Sequence, residues 1–137
     1  KLLIVEKKRT HKIFIHELPN KVQQSKRKVT YISWNALFSS PHHTVRTKLV
    51  NEMKKIIEPY LVSLALLNPP VAIHIKYYCN RTAYDIDNKT IWFKIIMDVL
   101  KGWKLEDDSV KFVKSVSIEA IVHKNKIDAM EITITEL

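Results

Sequence analysis

Glycine and cysteine each occur once in the 137 residues. With only Gly102 available, the chain has no Gly-rich phosphate loop, which excludes the usual nucleotide-binding loops and argues against ATP as a cofactor. Cys79 alone cannot close an intrachain disulfide and leaves no thiolate zinc site. The longest apolar run, Tyr60 to Leu67, is broken by Ser63 and is far too short to span a bilayer, so no membrane association is expected. No charged-then-apolar signal segment opens the chain, and the missing initiator methionine reads as a trimmed or internal start. A reducing, cytoplasmic setting is expected, either nucleoid-associated or phage-encoded in a host cytoplasm. The histidines lack ligand spacing: His42 and His43 are adjacent, and His11, His16, His74 and His123 are scattered.

Hydrophobic residues make up 46%, which excludes wholesale disorder, and the length suits one domain with a real core. The net charge of +9 is unevenly placed. Residues 1–60 hold 13 Lys and Arg against 4 Asp and Glu, whereas residues 61–137 hold 10 against 10. The excess positive charge thus sits in the N-terminal part, and a basic surface of this kind attracts polyanions, nucleic acid first among them. A well-solvated basic surface is the plainer alternative.

Hydrophobic periodicity predicts a fold of the α/β (α+β) kind, a mixed sheet flanked by two main helices. Leu2 to Val5 and Lys12 to His16 read as strands, with Ile13 and Ile15 on one face. Asn20 to Lys28 is polar and basic and reads as a mobile loop. Lys28 to Trp34 reads as a strand whose aromatics either pack or stack on bases. Ser40-Pro41 starts a helix with an apolar stripe of Val45, Leu49, Met53, Ile56 and Tyr60, kinked or ended by Pro59. Asn68-Pro69-Pro70 breaks the chain before a buried strand, Val71 to Tyr78. The second helix, Thr90 to Lys101, is apolar on most sides, is capped by Asp87 or Asn88, and ends at Gly102; it must be covered by a core or a second subunit. Two alternating strands follow, Val116 to Val122 and Met130 to Ile134, with Lys124-Asn125-Lys126 as the turn.

Two acidic foci bracket that apolar helix. If Asp85-Ile86-Asp87 is extended, both carboxylates leave one face, close enough to share a cation. Their mutual repulsion favours a hard divalent ion with oxygen ligands. Asp107-Asp108 is the second focus; adjacent residues on an extended chain point opposite ways, so one of the two is expected to join a site. Each pair taken alone also fits a blander role, a helix cap for the first and a solvated loop for the second.

Asp85-Ile-Asp87-Asn88, then Phe93-Lys94-Ile-Ile-Met-Asp98-Val-Leu100, then Glu106-Asp107-Asp108-Ser109-Val110 together resemble the RusA-type Holliday junction resolvases. The resemblance covers roughly residues 71–137 and is most specific over 85–110. It implies a homodimer whose subunits each carry one site for Mg²⁺, with Mn²⁺ as a substitute, and which resolves four-way DNA junctions by paired symmetric nicks. Asp85, Asp87 and Asp108 fall on the family's metal ligands, with Asp107 in support, and Lys94 falls on its essential lysine. Lys94 follows Asn88 by six residues, where the family pattern has the lysine about one turn on. The proline-rich entry loop of the family is poorly matched by Leu18-Pro19-Asn20.

On this reading Lys21, Lys26, Arg27, Lys28, Arg46, Lys54 and Lys55 contact the DNA backbone. The basic part, 1–60, binds, and the acidic-motif part, 71–137, cuts. A flap or fork nuclease would use the same residues, and a non-catalytic DNA-binding module of the same fold is the alternative from a different class.

Overall fold

The computed structural model describes residues 8–38, 43–80, 82, 84–123 and 127–137. Along them run β1 (Thr10–Leu18), β2 (Lys21–Ser25), β3 (Lys28–Tyr31), α1 (Trp34–Phe38), α2 (His43–Leu61), β4 (Val71–Cys79), α3 (Ile86–Lys89), α4 (Ile91–Leu100), β5 (Val113–Val122) and β6 (Asp128–Glu136). The expected strand Leu2 to Val5, the Ser40-Pro41 helix start and the turn at Lys124-Asn125-Lys126 lie outside the described residues. No described helix is long and apolar enough to cross a membrane.

Four strands form one mixed sheet in the order β1-β6-β4-β5, with β4 and β5 parallel and the other neighbours antiparallel. A single small α+β domain results, as the periodicity predicts. β4 alternates buried and half-buried along its whole length because it is an inner strand with one face turned to the helices. Ile15, Ile73, Ile75, Ile132 and Ile134 share that face and join one buried cluster with Leu49, Met53 and Ile57 of α2 and Trp92, Ile95 and Ile96 of α4. Each such side chain, fully removed from water, contributes roughly 1.5–3 kcal/mol before entropy is charged against it. The apolar helix α4 is therefore covered within its own chain.

Several local expectations are corrected. The buried stripe of α2 is Leu49, Met53, Ile57 and Leu61, a strict i, i+4 row, while Tyr60 is exposed and Ile56 only partly covered. Pro59 sits in the last turn of α2, which ends two residues later. Asn20 to Lys28 is no loop: Lys21–Ser25 pairs antiparallel with Lys28–Tyr31 as a hairpin, and Ile32 N–H closes its base on Asn20 O at 2.8 Å. Val22 and Ile32 are buried with Leu37, Leu49 and Met53, which anchors the hairpin and leaves its charges outside. Trp34 leaves the expected strand to open α1, where Ser33 Oγ accepts the Ala36 N–H at 3.1 Å as a helix cap does. β5 and β6 are consecutive in sequence but not neighbours, because β4 lies between them.

Candidate functional site

Asp85-Ile86-Asp87-Asn88 is not extended. Asp85 alone keeps a β conformation, and the chain then closes into the single turn of α3. Helical residues advance about 100° each, so Asp85 and Asp87 do not leave one face as a strand would have them do. Neither caps a helix through its side chain. Asp87 Oδ1 accepts the Asn88 N–H at 3.0 Å, and its backbone carbonyl accepts from Thr90. Thr90 is in turn fixed by the Trp34 indole N–H, which reaches its Oγ1 at 2.9 Å and ties α1 to the start of α4.

Asp107 and Asp108 lie in the connection from α4 to β5, where Lys101 Nζ stands 3.5 Å from one and 3.8 Å from the other. The Asp107 carboxyl is held below its usual range by a hydrogen bond from the Asp108 backbone, with Lys101 adding attraction. This connection is pinned at the start of β4: Leu67 N–H bonds to Lys104 O, and Val71 N–H bonds to Phe112 O. Asp85 and Asp87 follow the other end. Val71 pairs with Val113 and Cys79 with Val122, so Asp107 and Asp108 precede one end of the β4–β5 pair and Asp85 and Asp87 follow the other. An ion site of Asp85, Asp87 and Asp108 would thus draw its carboxylates from segments at the two ends of β4. The reason is topological, since α4 returns the chain antiparallel to β4 before the second focus is reached. Among the described residues no three His, Cys, Asp or Glu side chains gather closely enough to hold a metal.

The structure instead opens a cleft of about 470 Å³ between the base of the β2–β3 hairpin and α3. Asn20, Lys21, Tyr31 and Ser33 line one wall, and Tyr84, Asp85, Asn88 and Lys89 the other. Asn20 Nδ2 reaches Tyr84 Oη at 3.5 Å, joining the walls at one point. Each wall carries a lysine ammonium over a tyrosine ring: Lys21 is 4.7 Å from the Tyr31 centroid and Lys89 is 4.3 Å from that of Tyr84. Burial, foremost, lowers the Lys89 pKa.

Lys94 does not line this cleft; its Nζ pairs with Asp98 Oδ2 at 3.2 Å one turn along α4, an intrahelical pair worth a few tenths of a kcal/mol. Lys89 shares the cleft with Asp85 and Lys21, and it is absent from the site residues expected from the sequence. Its signal was present, four residues after Asp85 and directly after Asn88, but it shows only once α3 is recognised as a helical turn. Of the other expected DNA contacts, Lys26, Arg27 and Lys28 are exposed at the tip of the hairpin and Lys21 is at its base. Lys54 and Lys55 lie on α2, Lys55 engaged by Glu52 at 3.1 Å, and Arg46 is half-buried near the start of that helix. In comparisons with known proteins, no family model and no curated protein sequence matches this chain.

Proposed function

We propose that the protein binds branched DNA and cleaves it as a divalent-ion-dependent endonuclease, working as a homodimer whose two copies share each site. The observation that carries the reading is the cleft, whose lining includes Asp85, Lys21 and Lys89 at the foot of an exposed basic hairpin. Lys21, Lys26, Arg27 and Lys28 along that hairpin supply backbone affinity without base readout. Mg²⁺, or Mn²⁺ in its place, needs several oxygen ligands together, and among the described residues of one chain no three such side chains gather. The reading therefore requires Asp85 and Asp87 of one copy to meet Asp107 and Asp108 of another. The edge strand β5 suits such a contact, because two β5 strands paired antiparallel about a two-fold axis set opposite ends of the copies side by side. A four-way junction has the matching two-fold symmetry, which is why it is the proposed substrate.

A second reading, a DNA-binding module without catalysis, is favoured by the same separation of the acidic foci. One experiment decides between them: incubate the protein with a four-way junction and with linear duplex, in Mg²⁺, in Mn²⁺ and in EDTA. Metal-dependent paired nicks confined to the junction are the expected outcome, and silence in both metals would favour the binding module. Asp87→Asn and Asp108→Asn should each be inactive alone. Mixed and allowed to exchange subunits, they should regain nicking, with about a quarter of all sites intact, since each mixed dimer of a two-fold pair keeps one wild-type site. A mixture that stays silent while wild type cuts would refute the shared site.

A further inference from the structure

We infer that the cleft between the hairpin and α3 holds a single unpaired nucleotide, with its base on Tyr31 and its flanking phosphates between Lys21 and Lys89. This rests on the proposed DNA-binding reading and adds what part of the DNA the cleft accepts. At about 470 Å³ the cleft falls within the roughly 300–1,000 Å³ typical of sites for one small-molecule-sized group. A nucleotide fits that description, whereas a duplex does not enter such a space.

The lining suits the chemistry of a nucleotide rather than that of an apolar ligand. Tyr31 is 62% exposed at the end of β3, so its ring is accessible to a stacking partner although the Lys21 ammonium stands over one face. The Lys21 ammonium, 4.7 Å from that ring, draws a phosphate to the place where the base stacks. Across the cleft Lys89 leans on Tyr84 at 4.3 Å and Tyr77 at 5.2 Å, which holds a cation on the wall that also carries Asp85. Two ammonium groups against one carboxylate keep the cleft attractive to phosphate. Asn20 and Asn88 add amide donors and acceptors that meet a base edge or a sugar. Aromatic and basic side chains in alternation are how proteins hold single strands without regard to sequence.

The test is done in EDTA, so that binding is read without cleavage. Fluorescence anisotropy would be measured with a labelled single-stranded oligothymidylate and with a blunt duplex of equal length. Tyr31→Ala should weaken single-strand binding about ten-fold, the loss expected of one stacked base, and change duplex binding less than two-fold. Tyr31→Phe keeps the ring and should bind as wild type does. A 2-aminopurine within the single strand should be quenched by wild type and by Tyr31→Phe, but not by Tyr31→Ala. Equal losses on both DNAs, or no loss on either, would overturn the inference. Cleavage that fails while the Tyr31 dependence persists would refute the nuclease reading alone; cleavage that persists without that dependence would refute the cleft alone. Absence of any DNA binding would overturn both.

Discussion

Glu136 and Asp128 are buried carboxylates, and each is held by specific donors. Arg9 reaches the two oxygens of Glu136 at 2.7 and 2.8 Å, and the Asn68 N–H adds a third bond at 2.6 Å. These bonds, the Arg9 one foremost, lower the Glu136 pKa from 4.5 to about 2. A depressed carboxyl stabilises the fold above its unfolded pKa and loses that contribution as pH falls through its folded one. Glu136→Gln should therefore cost about 1–3 kcal/mol at pH 7 by urea unfolding. The gap to wild type should narrow between pH 4.5 and pH 2; a gap independent of pH would show that the charge of Glu136 is not what matters. Asp128 accepts the Tyr77 hydroxyl at 2.7 Å, and burial, followed by that bond, pushes the phenol pKa well up, so Tyr77 remains a donor.

Helix α4 shows how local residues set where an element stops. Its last turn is followed by Gly102 at φ 72°, in the left-handed region, and the Gly102 N–H bonds to Leu105 O at 2.7 Å. A Cβ there would meet nothing within 4 Å, so Gly102→Ala carries backbone strain and no clash. We expect it to lower stability by about 1–2 kcal/mol, read as a fall in unfolding midpoint. An unchanged midpoint would mean that the turn relaxes to another shape. The elements most legible in the sequence are those whose apolar period is longest: β4, β6 and α4. The β2–β3 hairpin was not, because just Val22 and Ile32 face the core while Lys21, Lys26, Arg27 and Lys28 dominate its composition. Asp85-Ile-Asp87 is likewise too short for period to separate a strand from one helical turn.

At the scale of the whole molecule the two edges of the sheet differ. β5 is an edge strand with its outer side unpaired, and Val116 and Val122 on its helix-side face are 47% and 54% exposed. An unpaired edge strand that exposes valines invites pairing with another chain. The helix α4, which the sequence offers as a second dimer surface, is committed to its own core. If the proposed dimer forms through β5, Val116→Lys should shift it toward monomer in sedimentation velocity, and the proposed junction cleavage should fall in the same proportion. A variant that remains dimeric would move the interface elsewhere; one that is monomeric and fully active would remove the need for a shared site.

The sequence by itself determined the type of the long elements and most of the core on β4, β6 and α4, because period two, period 3.6, Gly102 and Asn68-Pro69-Pro70 act over neighbouring residues. It also determined the excess of positive charge in the N-terminal part. Only the tertiary structure decided which elements are neighbours: that β4 separates β5 from β6, that Asp85 and Asp107 stand at opposite ends of β4, and that Lys89 rather than Lys94 shares a cleft with Asp85. Strand order and the direction of a crossover rest on contacts between residues far apart in the chain, and no local pattern records them.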